Sequence, residues 1–361
     1  MSQRKRIWER VPGDPQIAAE LSTNCGISLG VAKALVNRGI IDEKSAGRFL
    51  APDVADMHDP FCLPDMTAAA GRVLDAVRRG ERIRIYGDYD VDGVSSVALA
   101  VSVLRAYGAN VDYYIPNRLV EGYGLSIEAV QKAASDAVDV MITADCGIGA
   151  FKEAEAAHSL GVDLIITDHH EADEGVPQCV AVVNPKRHDS EYPFKELAGV
   201  GVIFKLCQAL WRLAGRPDGQ ADPKSHLDLA ALGTIADVVP LLDENRIFAR
   251  AGLAMMGHSS NLGIQSLLDV AGLAGREVKA GNVGFTLGPR VNAAGRLGDP
   301  SLGARLFLTD SRQEASELAA MLDEENRKRQ EIEQAILRQV WEPVSKMNTQ
   351  STRAIVLGSE T

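Results

Sequence analysis

The chain has 361 residues, of which 46% are hydrophobic and 24% charged, with a net charge of −11; that is an ordinary globular balance and enough length for two or more domains. No apolar run reaches bilayer-crossing length, and the basic start Met1-Ser2-Gln3-Arg4-Lys5-Arg6 is not followed by a signal-peptide core, so no membrane partner is expected. Cys25, Cys62, Cys146, Cys179 and Cys207 follow neither a Cys-x-x-Cys spacing nor a pairing pattern, which excludes a disulfide scaffold and points to a reducing, cytoplasmic setting.

Residues 1–65 are expected to form a small helical segment, with Ser28 to Val36 helical and Asn37-Arg38-Gly39 ending that helix. Pro52, Pro60 and Pro64 punctuate the passage into the core. From 66 to 240, strands near 82, 111, 139, 164 and 180 alternate with helical stretches. That alternation predicts an α/β fold, a parallel five-stranded sheet with helices on both faces.

The first strand, Arg82-Ile83-Arg84-Ile85-Tyr86, runs into Gly87-Asp88-Tyr89-Asp90-Val91-Asp92-Gly93. Extended backbone would put the three carboxylates on one side. There they repel and raise one another's pKa unless a cation lies between them. Gly93 is expected to turn the chain into an apolar helix from Val94 to Val101. Val140-Met141-Ile142-Thr143-Ala144 then ends in Asp145, and Leu164-Ile165-Ile166-Thr167 ends in Asp168-His169-His170. A parallel sheet lines up the C-terminal ends of its strands along one edge, so ligands distant in sequence meet there. A fourth apolar segment, Leu229 to Pro240, carries one carboxylate, Asp237, which is read as a further strand-end ligand. Singly, these residues could be a solvated acidic loop, a core histidine or a helix cap. Together they read as a two-metal phosphoesterase site, with Cys146 a small filler behind it.

Residues 241–310 add a helical extension containing a loop from Arg290 to Arg296. Ser311 with Glu314 forms a capping box that opens a connecting helix over 311–345. The polar middle of that helix suits a bridge between domains, spanning roughly 45 Å. Ser345 to Thr352 reads as a polar linker, and Arg353-Ala354-Ile355-Val356-Leu357 as a new strand.

These motifs resemble the DHH phosphoesterase superfamily, named for the Asp168-His169-His170 type of sequence, and within it the RecJ family of single-strand-specific 5′-to-3′ DNA exonucleases. Tyr86 stands where family II pyrophosphatases and small oligonucleotide phosphodiesterases place a histidine. Asn117-Arg118 with Glu121-Gly122-Tyr123-Gly124-Leu125, and the run Leu287 to Leu297, are similar to RecJ segments. The likeness covers nearly the whole chain.

The resemblance implies that Asp90, Asp92, Asp145, His169 and Asp237 are metal ligands, with Asp92 and Asp145 reaching both ions. It gives Asp88 and Asp168 supporting places beside the catalytic His170, which would face the scissile phosphate. Arg118, Arg290 and Arg296 would grip phosphate, with Asn292 behind them; for the arginines the alternative is ordinary surface charge. Mixed carboxylate and imidazole ligation favours two Mn2+ ions, with Mg2+ as a substitute.

The implied activity is release of mononucleotides from single-stranded DNA in repair and recombination, with a helicase and single-strand-binding protein as possible partners. A DHHA1-like domain would start within 346–361, which makes the chain a fragment expected to bind DNA weakly, in keeping with its acidity. The alternatives are hydrolysis of short oligonucleotides or pyrophosphate-like anions, and a replication or repair scaffold without catalysis.

Overall fold

A computed structural model of the protein describes residues 13–172, 175–347 and 354–357. Five parallel strands form one sheet in the order β2-β1-β3-β4-β5: β1 Arg82–Gly87, β2 Asn110–Tyr114, β3 Val140–Ala144, β4 Asp163–Thr167 and β5 Ala181–Val183. All five expected strands are present. The chain builds β2 on one side of β1 and then crosses to the other side for β3. Strand order therefore reverses at the β1/β3 boundary, where open α/β sheets leave a crevice beyond the strand ends.

Alternate side chains of the strands face two cores. On one face Ile83, Ile85, Ile142 and Ile165 pack under the helices Met66–Arg79, Val91–Ala106 and Gly199–Leu213. On the other, Tyr86, Met141, Leu164 and Ile166 pack under Ile127–Ser135 and Phe151–Leu160. The Val91–Ala106 helix is buried on nearly every side because the helices Gly199–Leu213 and Leu227–Ala236 lie against it. An all-round apolar sequence such as Val94 to Val101 is what such a position requires.

The N-terminal helices Pro15–Asn24, Leu29–Val36 and Glu43–Leu50 enclose a small core of their own, built on Ala18, Leu21, Ala32 and Leu35. Ser28 caps the second helix through the Val31 N–H, just ahead of its first residue Leu29, and Gly39 follows it at φ +79°, so the expected stop is in place. The connection to the sheet domain is held by a buried ion pair. Lys205 Nζ lies 2.9 Å from Glu244 Oε1 and 2.5 Å from the His58 carbonyl. Glu244 also accepts the His58 N–H at 3.0 Å and the Tyr192 hydroxyl at 2.5 Å.

Four expectations need correction. Asp237 does not end a strand; it follows the helix Leu227–Ala236. The segment from Arg290 to Arg296 is not a loop, because a π-helical turn, Val283–Leu287, feeds directly into the helix Gly288–Leu297. Only half of the capping box forms. Ser311 accepts the Glu314 N–H, but the Glu314 carboxylate turns to the Thr309 hydroxyl at 2.5 Å. Ala354 to Leu357 belong to no strand, and Arg353 lies outside the described residues.

The last helix, Arg312–Lys346, has 35 residues and is about 50 Å long. Ala315, Leu318, Ala319, Leu322 and Asn326 bury its first half against the core, whereas Leu337 and Trp341 further along are exposed. No helix among the described residues is long and apolar enough to cross a membrane.

Candidate metal centre

Asp88 and Asp90 leave the end of β1, and Asp90 caps the Val91–Ala106 helix by accepting the N–H groups of Asp92 (2.9 Å) and Gly93 (3.0 Å). Asp92 therefore sits in the first helical turn, so the expected extended run of three carboxylates is corrected. An aspartate at the N-cap satisfies two helix-end donors, which outweighs continuing the strand. Gly93 is likewise helical rather than a turn. Its role is close approach, since a Cβ there would lie 2.5 Å from the Asp88 carbonyl oxygen.

Asp92 is fully buried. Its two oxygens accept the Gly199 N–H (2.7 Å) and the Val200 N–H (2.8 Å) at the start of the Gly199–Leu213 helix. Asp145 follows β3 in the left-handed region, at φ +67°, a conformation that costs a non-glycine residue and that aims its carboxylate into the crevice. Asp145 Oδ1 lies 3.0 Å from His169 Nε2, yet both are buried atoms that make no hydrogen bond. The same imidazole nitrogen is 3.8 Å from Asp237 Oδ2 and 4.0 Å from Asp92 Oδ2.

Asp168 has a different task. Its Oδ1 accepts the backbone N–H groups of His169 (2.7 Å) and His170 (3.1 Å) and meets His170 Nδ1 at 2.7 Å, while Oδ2 accepts the Ile148 N–H at 2.8 Å. Its lone pairs are committed, so it orients the two histidines.

The electrostatics follow from this crowding. Burial, then the charges of Asp237 and Asp90, push Asp92 well above the usual carboxylate range. Burial, then Asp92 and Asp90, do the same to Asp145. Burial and Asp90 raise Asp88 to about 6 and Asp237 to about 6. Burial and His170 lower His169 to about 4, which leaves it neutral and free to donate a lone pair. The hydrogen bond to Asp168 raises His170, and, against the upward push of burial, the His170 contact helps hold Asp168 low.

Three overlapping trios hold ligand atoms within 4.8 Å of one another: Asp88, Asp90 and Asp145; Asp92, His169 and Asp237; Asp145, His169 and His170. All five expected ligands converge, and Asp88 and His170, expected to stand behind or beside them, lie within the same cluster. The donor set fits a pair of divalent cations. Orphaned Asp145 Oδ1 and His169 Nε2 gain a partner, and the repulsion that lifts the carboxylates disappears.

The residues expected to hold phosphate are less uniformly placed. Arg118 stacks its guanidinium 5.0 Å from the Tyr89 ring centroid, beside the metal loop. Arg290 instead pairs with Asp323 of the last helix at 2.8 Å and donates to the Thr286 carbonyl at 2.7 Å. Asn292 Oδ1 accepts the Val91 N–H at 3.0 Å, bracing the start of the helix that carries Asp92. The side chain of Arg296 lies outside the described residues. Tyr86 is buried and donates its hydroxyl to the Gly124 carbonyl at 2.8 Å.

Sequence reasoning missed two residues, Gly199 and Gly233. A Cβ at Gly199 would lie 2.6 Å from Asp145 Oδ1, and one at Gly233 would lie 2.7 Å from Asp92 Oδ1. The available signal was Gly233 itself, a helix-weakening residue in an otherwise strong helical run.

Residues 82–234 match the DHH family N-terminal domain. The single-stranded-DNA-specific exonuclease RecJ of Bacillus subtilis is 41% identical over 99% of this chain and 44% of its own length. A crystal structure of exonuclease RecJ bound to manganese is 40% identical and superimposes with a TM-score of 0.72 over 80% of this chain and 71% of that one. RecJ from Thermus thermophilus, solved in complex with Mn2+, is 35% identical with a TM-score of 0.78 over 91% of this chain and 47% of that one. The chain thus spans less than half the length of the Bacillus relative it matches.

Proposed function

The chain belongs to the RecJ family of DHH-domain proteins, and on that premise we propose that it hydrolyses single-stranded DNA from the 5′ end, releasing mononucleotides in DNA repair and recombination. The observation that carries this reading is the facing pair of buried, partnerless atoms, Asp145 Oδ1 and His169 Nε2, 3.0 Å apart. In a scaffold without metal, such a pair costs stability and serves nothing.

In this reading residues 66–240 are the catalytic core and 241–310 its helical extension. Asp90, Asp92, Asp145, His169 and Asp237 hold two divalent cations, joined by Asp88. Manganese suits the mixed oxygen and imidazole donors better than magnesium, which can substitute. Bound there, the cations supply Lewis acidity and a water ionisable near neutral pH.

The chain's own groups do the rest. Gly199 and Val200 hold Asp92 in place through their N–H groups. Asp168 fixes the His170 ring through Nδ1 and favours its imidazolium form, in which Nε2–H can donate to a phosphate oxygen as charge builds on it. Arg118 is placed to meet a backbone or terminal phosphate. Arg290 and Asn292 act indirectly, by fixing the helix packed behind the metal loop. A reducing cytoplasm and a helicase or single-strand-binding protein as partners complete the proposal.

The test is release of mononucleotides from 5′-labelled single-stranded DNA with Mn2+, comparing the chain with Asp145→Ala. Release by the parent alone supports the reading. Stoichiometric Mn2+ binding with no release from DNA, by the parent or by a longer version of the protein, overturns it in favour of a smaller phosphate ester or anhydride.

A further inference from the structure

A cavity of about 310 Å3 opens where the N-terminal helices meet the catalytic core, and it shares no residue with the metal centre. Ile40, Phe49, Phe194 and Ile247 give it an apolar lining. Arg38 and Arg48 also line it, and two further arginines stand beside it. Arg246 places its guanidinium 3.7 Å from the Phe49 ring centroid and donates to the Phe49 carbonyl; Arg250 donates to the Leu50 carbonyl at 2.9 Å. Arg38 donates to the Ala34 carbonyl at 3.1 Å.

Among the described residues no carboxylate forms an ion pair with any of these four. That is unexpected in a chain where acidic residues outnumber lysine and arginine by 49 to 38. Burial, and then the charges of Arg250 and Arg38, push Arg246 below its usual range, so the three share one uncompensated field. Guanidinium groups left without a counter-charge at the mouth of an apolar cavity call for an anion with an apolar body.

The remaining lining groups narrow the choice. Asp243 is taken by His58 Nε2 at 2.8 Å, whereas the Asp56 carboxylate makes no hydrogen bond among the described residues; only its backbone N–H is engaged, by the Asp53 carbonyl at 3.0 Å. Two carboxylates in the lining would repel a run of acidic side chains, which disfavours an acidic peptide. A ligand with one anionic end and an N–H-bearing edge matches the two lining arginines and the free Asp56 carboxylate. We propose that this cavity binds a nucleoside monophosphate, with the base on the apolar lining, its N–H edge on Asp56 and its phosphate on Arg38 and Arg48. The volume is at the small end of ligand sites, as a single nucleotide requires. The inference stands apart from the nuclease reading, since it uses none of the metal-centre residues.

The test is calorimetric titration of the full chain with dGMP in excess chelator, which removes any contribution from the metal centre. We expect binding at one site, weakened at least about tenfold by Arg38→Ala with Arg48→Ala, because charge-assisted hydrogen bonds are lost. Both arginines are exposed, so the double variant should fold, and an unchanged melting temperature verifies that. Asp56→Asn should also weaken dGMP, while deoxyguanosine and inorganic phosphate each bind less well than the nucleotide. Absence of dGMP binding, binding unaffected by the arginine substitutions, or displacement of dGMP by an acidic peptide would overturn the proposal.

Discussion

Two glycines set the dimensions of the metal centre, because the carboxylates occupy the volume a side chain would need. Gly199→Ala would place a methyl group 2.6 Å from Asp145 Oδ1. Something must shift, so we expect a loss of about 1–3 kcal/mol in urea unfolding together with weaker Mn2+ binding by calorimetry; full retention of both would show that the crevice can yield. The carboxylates also make a signed pH prediction. Asp88 and Asp237 are raised from 3.8 to about 6 in the folded chain, so each holds its proton more tightly folded than unfolded. Without divalent ions each contributes stability that grows as the pH falls from about 6 towards 4 and is absent above that window. Asp92 and Asp145 act in the same sense, whereas His169, lowered to about 4, acts against them. With these four and the raised His170 set against His169 and the buried His226, the metal-free chain should melt at a higher temperature near about pH 5.5 than near about pH 7.5. Saturating Mn2+ should reverse that order, because the cation binds the deprotonated carboxylates. Melting curves at both pH values, with chelator and with Mn2+, check it; the same order in both would contradict it.

The Val91–Ala106 helix positions Asp90 and Asp92, and its start is braced from a segment about 200 residues away in sequence. Asn292→Ala would leave the buried Val91 N–H without its acceptor. That should cost about 1–2 kcal/mol and lower Mn2+ affinity by loosening the Asp90 cap, whereas a phosphate-binding role alone would leave metal affinity untouched. This bracing was not legible in the sequence. The five strands were, because runs such as Val140 to Ala144 and Leu164 to Thr167 are short, apolar and flanked by turn residues. So was the convergence of the candidate ligands after β1, β3 and β4, since parallel strands must end on a common edge. The helix start at Val91 was missed because Asp90 can belong equally to a loop or to a cap, and only the donors of Asp92 and Gly93 decide between them. Asp237 was assigned to a strand because an apolar run of that length has no period that separates a buried helix from a buried strand. The partners of Arg290 and Asn292 depend on how distant helices dock, which local pattern does not encode.

Across the whole molecule, the segment that leads from the N-terminal helices into the sheet domain is anchored at His58 by the Lys205–Glu244 ion pair, which no solvent reaches. Lys205→Ala strands the Glu244 carboxylate in the interior, and we expect a loss of about 3–5 kcal/mol in urea unfolding. Lys205→Met with Glu244→Leu should recover much of it, and a double variant as weak as the single one would refute the ion-pair explanation. The metal centre draws on the same reserve in the opposite direction. Asp145 bears a left-handed backbone and a buried carboxyl group at once, and its Oδ1 finds no hydrogen-bond partner in the metal-free fold. Glycine at that position would relax the chain, and asparagine would remove the charge. A directed-evolution campaign that rewarded only survival of heating in chelator would therefore be drawn to Asp145 early, and its winners would be robust and inert. Any effort to harden this protein needs a catalytic counter-selection from its first round.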